Sequence, residues 1–124
     1  MSSYLTFRKN GVDLCSYSRG TMMYQTFSYA PYENYGPLKI STLKEGIEDL
    51  QDKRKAAIRQ KRIYERMMAN SNLEYEDLFQ TSVSVEECKK TIEQVDEAIS
   101  DIRLLIRIAD EEADEDVVSV MEWR

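Results

Sequence analysis

Between Val85 and Ala113 apolar residues return every seven positions in two interleaved registers. Val85, Ile92, Ile99, Ile106 and Ala113 form one; Cys88, Val95, Ile102 and Ala109 form the other. That spacing demands a helix of about 30 residues, about 45 Å long, that lays a narrow apolar seam against another helix. The remaining segments read as elements packed on that helix or presented by it.

Its partner is the stretch from 42 to 70. Thr42 followed by Glu45 has capping-box spacing, and Glu45, Glu48 and Asp49 suit the positive end of a helix dipole. The inner stripe is Leu43, Ile47, Leu50, Ala57, Tyr64 and Met68, interrupted by Arg54 and Lys61. Asn70-Ser71-Asn72 ends this helix. A connector over 71–83 follows, in which Leu73 to Phe79 forms a short helix with Leu78 and Phe79 covering the closed end. Ser84 and Glu87 then repeat the capping-box spacing, and the second helix occupies 85–112. Two capped helices joined by about a dozen residues fold back antiparallel.

Charge supports the same pairing. Residues 1–40 carry 4 basic and 2 acidic groups, 41–70 carry 8 and 5, and 71–124 carry 5 and 16. With the fold-back near Asp77, Lys53, Arg54, Lys55, Arg59, Lys61, Arg62 and Arg66 come level with Glu93, Asp96, Glu97 and Asp101. Exposed pairs contribute about 0.2–1 kcal/mol each, so they select orientation more than they hold the fold.

The N-terminus, residues 1–19, reads as a β-hairpin. Tyr4 to Lys9 and Val12 to Tyr17 flank Asn10-Gly11, the pair suited to a type I′ turn. A two-residue loop sets Arg8 across from Asp13 and Tyr4 across from Tyr17, with Phe7 against Leu14 and Leu5 against Ser16 on the other face. An isolated ribbon is marginal in water, so the Leu5, Phe7 and Leu14 face must lie on the helices. Residues 20–40 give a short helix, capped by Ser18 or Thr21, and then a tyrosine-rich loop interrupted by Pro31 and Gly36-Pro37. The β-forming run 117–123 is placed to add a third strand. The expected fold is therefore α+β and mainly α, in one domain: a long antiparallel, coiled-coil-like helical hairpin carrying an N-terminal β-hairpin.

Ile102 to Ala109 is apolar almost all round, because Leu104 and Ile108 point away from the seam of Ile102 and Ile106. One partner helix leaves that outer face uncovered. The N-terminal hairpin is one cover; a second copy of the chain, making a homodimer through Leu104 and Ile108, is the other.

Catalysis finds little support. The chain has no histidine, which removes the commonest general base at neutral pH. It has no glycine-rich phosphate loop, nucleophile elbow or cysteine cluster. The run Asp110, Glu111, Glu112, Asp114, Glu115 and Asp116 lacks the alternation and the glycine of a calcium loop, so it reads as a solvated patch. No metal or cofactor is expected. No apolar window approaches a membrane span and the opening residues show no leader, which places the protein in the cytoplasm.

Binding is the remaining class. Tyr24, Tyr29, Tyr32 and Tyr35 concentrate one hot-spot residue in a short stretch, and the 110–116 acidic run is a second contact able to imitate nucleic-acid phosphates. The alternative is a nucleic-acid or nucleotide binder that uses Arg54, Arg59, Lys61 and Arg62 with those tyrosines for stacking. A third reading is self-assembly through Leu104 and Ile108.

The opening Tyr4-Leu5-Thr6-Phe7-Arg8-Lys9-Asn10-Gly11 hairpin, the tyrosine-rich bridge and the charged helical pair together resemble, in size and style, small accessory proteins encoded by phages and prophages. That resemblance implies a class of work and no particular residue: binding a host protein, defence components included, to block or redirect it.

Overall fold

The structure is a computed structural model that describes residues 3–9, 11–27, 37–38, 40–70, 74–111 and 117–123. Along the chain run β1 (Ser3–Lys9), β2 (Val12–Ser18), α1 (Met22–Phe27), β3 (Pro37–Leu38), α2 (Ile40–Met68), α3 (Tyr75–Glu111) and β4 (Val117–Trp123). The fold is α+β and mainly helical, with two long packed helices and an antiparallel sheet. Its contacts gather in two units, Met1–Leu50 with Ala98–Arg124, and Gln51–Glu97.

In the first unit the strands lie in the order β2-β1-β4-β3, antiparallel throughout. The C-terminal run does join the hairpin, on the free edge of β1, from Ser3↔Trp123 to Arg8↔Val118. Pro37 and Leu38 add a short edge strand beside β4, where a residue without an N–H is tolerated. Gly11, at φ +74°, supplies the left-handed residue that the tight β1-β2 loop needs.

The hairpin register departs from the expected one. Arg8 pairs with Asp13, but Phe7 pairs with Cys15, Leu5 with Tyr17 and Tyr4 with Ser18, so Leu14 is an extra residue between two paired segments. This bulge shifts β2 by one position and, because strand side chains alternate, exchanges its faces. Cys15 and Tyr17 thereby join Leu5 and Phe7, and Ser16 turns to the opposite face, where its hydroxyl lies 3.0 Å from that of buried Thr6. The Tyr17 ring meets Phe7 edge-on at 6.0 Å, and Phe27 meets Phe7 likewise at 5.8 Å.

Thr21 caps α1: its hydroxyl accepts the Tyr24 N–H at 3.3 Å and donates to the Ser18 carbonyl at 2.8 Å. Met22, Met23 and Phe27 are buried with Leu43, Leu50, Ile102 and Leu105. The Cζ end of the Phe27 ring closes on Gly46 of α2, where a Cβ would stand 2.5 Å from it. The helix spends its propensity at Gly46 to admit that ring.

α2 begins at Ile40, so Thr42 lies inside the first turn and not at its cap. The pairing of Leu38 leaves one residue between strand and helix. α3 begins at Tyr75, about ten residues before the expected start, which shortens the 71–83 connector. Ser84, expected to open the helix, is internal, as is Thr81, and their hydroxyls donate to the carbonyls of Gln80 (3.1 Å) and Asp77 (2.7 Å). A hydroxyl satisfied four residues back no longer marks a boundary.

In the second unit, Val85, Cys88 and Val95 of α3 are buried, as is Ala57 of α2. Arg54 Nε donates to Asp96 Oδ1 at 2.7 Å across the pair. Their midpoint falls at Tyr75, where α3 starts, so the fold-back lies slightly ahead of Asp77. No helix among the described residues is long and apolar enough to cross a membrane.

Candidate interaction surfaces

The continuous α3 decides what its first turns display. Thr81, Val85 and Cys88 mark the seam; at 100° per residue, Tyr75, Phe79 and Val83 fall on a stripe about 110–170° round from it, with Leu78 on the flank at about 50°. Tyr75 is 81% exposed and Phe79 59%, with Leu78 and Val83 also in solvent. The expected cover of the closed end by Leu78 and Phe79 therefore does not form. A straight helix running through the intended connector carries them to the outside, bordered by exposed Glu76 and Asp77.

α2 distributes its cations between two faces. Arg54 and Lys61, on the flank of the stripe, are engaged: Arg54 with Asp96, and Lys61 with Glu65 of its own helix at 3.0 Å. Lys55, Arg59, Arg62 and Arg66 follow one another at spacings of four, three and four, which confines them to an arc of about 60° opposite the seam. All four are exposed, and none has an ion pair or hydrogen bond among the described residues. Neutralisation by the neighbouring helix thus reaches Arg54, and the outer row lies beyond α3's carboxylates. The nucleic-acid set named from the sequence, Arg54, Arg59, Lys61 and Arg62, is split between these two faces.

Other candidates have different fates. Tyr24 is half-buried on α1. Tyr29, Tyr32, Tyr35, Glu112, Asp114, Glu115 and Asp116, and the side chains of Asp110 and Glu111, lie outside the described residues. Leu104 is 53% exposed and Ile108 is partly covered, whereas neighbouring Leu105 is 2% exposed. Cover is provided one position round the helix from where the sequence pointed.

One polar cluster sits at the sheet-helix junction. Tyr17 Oη donates to Asp101 Oδ2 at 2.8 Å, and Cys15 stands beside Tyr17 on the same face of the sheet. Burial first, then the contacts with Cys15 and Asp101, pushes the Tyr17 phenol far above its ordinary value. Burial also raises the Cys15 thiol, against a lowering by neighbouring Tyr17. Both shifts favour the protonated forms. A groove of about 360 Å³ between α2 and α3 has Ala57 and Cys88 at its base and Gln60, Tyr64, Ser84 and Thr91 on its walls. Among the described residues no three His, Cys, Asp or Glu side chains converge as a metal site.

No family model, no curated protein and no solved structure matches the chain.

Proposed function

We propose that this chain is a non-enzymatic, cytoplasmic protein-binding module, a regulatory or inhibitory accessory protein whose contact surface is the stripe Tyr75, Phe79 and Val83, flanked by Leu78. The observation that carries the reading is the exposure of Tyr75 and Phe79 on a regular helix. Aromatic side chains lose little conformational freedom on binding and bury a large area, which is why they anchor interfaces. Glu76 and Asp77 supply the polar rim such a patch needs to stay in solution. A blocking or redirecting role toward a host protein is what the resemblance in size and style to small phage and prophage accessory proteins implies.

The test compares wild type with Tyr75→Ser/Phe79→Ser as immobilised baits in an extract of the source cells. A protein retained by wild type and lost by the variant is the expected result; identical retention on both places the contact elsewhere. Light scattering on the free protein is expected to give the monomer mass. A dimer that Tyr75→Ser/Phe79→Ser dissociates would assign the stripe to self-assembly.

A further inference from the structure

The row Lys55, Arg59, Arg62 and Arg66 is independent of the aromatic stripe, being on the other helix, and it has a chemistry of its own. Four cations stand on one face, and among the described residues no acidic side chain engages them. Within the α2 segment of this unit the acidic residues are Asp52, which precedes the row, and Glu65, which is engaged by Lys61. The cations recur about every 5.5 Å along the axis over about 16 Å.

We infer that this face of α2 binds the phosphodiester backbone of nucleic acid without sequence preference. A polyanion with regularly repeated charges, laid along the helix, meets the four cations one after another, and each neutralised phosphate releases condensed counterions. Three of the four are arginine, whose planar fork suits phosphate oxygens. An acidic protein surface is the competing partner, and the row's composition disfavours it. Protein interfaces place apolar residues at their centre and charge at the rim, whereas here exposed Ile63 and Met67 lie to one side of the cations and not between them. The acidic excess over 71–124, 5 basic against 16 acidic residues, keeps such binding weak and confined to this face.

The experiment is fluorescence anisotropy of a labelled oligothymidylate of about 20 nucleotides, titrated with the full chain across a salt series. Binding at low salt should fall with a log-log slope of about −3, the value for four phosphates on a single strand. Arg59→Gln/Arg62→Gln should bring the slope to about half of that, while Arg103→Gln/Arg107→Gln, an equal charge change at exposed positions of α3, should leave it unchanged. Absence of low-salt binding, or an equal loss in both double variants, overturns the assignment. So does polyglutamate competing as well as unlabelled oligonucleotide, which would make the row a site for acidic protein. Circular dichroism of each variant checks that the helices are intact.

Discussion

Tyr17 and Asp101 are 84 residues apart in the chain, and a hydrogen bond of 2.8 Å joins them, from the phenol on β2 to the carboxylate on α3. The contact exists because Leu14 is an extra residue in the hairpin. Without that bulge Tyr17 would lie opposite Tyr4 on the other face of the sheet. A local irregularity in one strand thus decides which side chain ties the sheet to the helix.

Replacing Tyr17 with Phe keeps the ring on Phe7 and removes the hydroxyl. A loss of about 1–2 kcal/mol in urea unfolding is expected, with an unchanged far-ultraviolet spectrum. A neutral substitution would mean that water replaces the phenol at Asp101.

Tyr17 and its neighbour Cys15 set an alkaline dependence. The unfolded chain releases the Cys15 and Tyr17 protons near the ordinary values of 9.0 and 10.0, while the folded chain holds both more tightly. Above those values the folded state binds more protons than the unfolded, so stability falls as pH rises; below about pH 9 the contribution is fully present. Chemical unfolding across this range should show the decline, and Tyr17→Phe should flatten its upper part.

Deleting Leu14 removes the unpaired residue and preserves every observed partner, from Lys9↔Val12 to Tyr4↔Ser18. The shortened chain should therefore fold, with Tyr17 still inward. Near-ultraviolet dichroism and amide exchange on β2 report it; a collapse of protection there would show that the bend of the bulge is itself required.

Gly46→Ala improves helix propensity by about 1 kcal/mol in isolation, yet the new methyl would stand 2.5 Å from the buried Phe27 ring. Net destabilisation of about 1–3 kcal/mol is expected. A more stable variant would show that Phe27 has room to move.

Adjacent leucines on α3 should behave oppositely. Leu105→Ala, at 2% exposure, should cost about 2–4 kcal/mol, and Leu104→Ala, at 53%, about 0.5 kcal/mol or less. Comparable costs at both positions, together with a change in solution mass on Leu104→Ala, would establish Leu104 as a subunit contact.

Much of this protein is legible in its sequence wherever the signal is periodic and local. The seam residues Val85, Cys88, Val95, Ile99 and Ile102 are buried, and so are Leu43, Leu50 and Ala57 of α2, because a repeat near 3.5 residues keeps one side of a helix on its partner. Asn10-Gly11 announces the turn, since few residue pairs accept its backbone angles. Tertiary structure decided the rest. Thr81 and Ser84 carry the same hydroxyls at a helix start or inside one, and only the carbonyls of Asp77 and Gln80 select between them. The bulge at Leu14 depends on which face of β2 the Phe7 cluster and Asp101 accept. The division of α2's cations into an engaged pair and an open row depends on which side α3 occupies, a fact that resides in the packing of two helices and in neither helix alone.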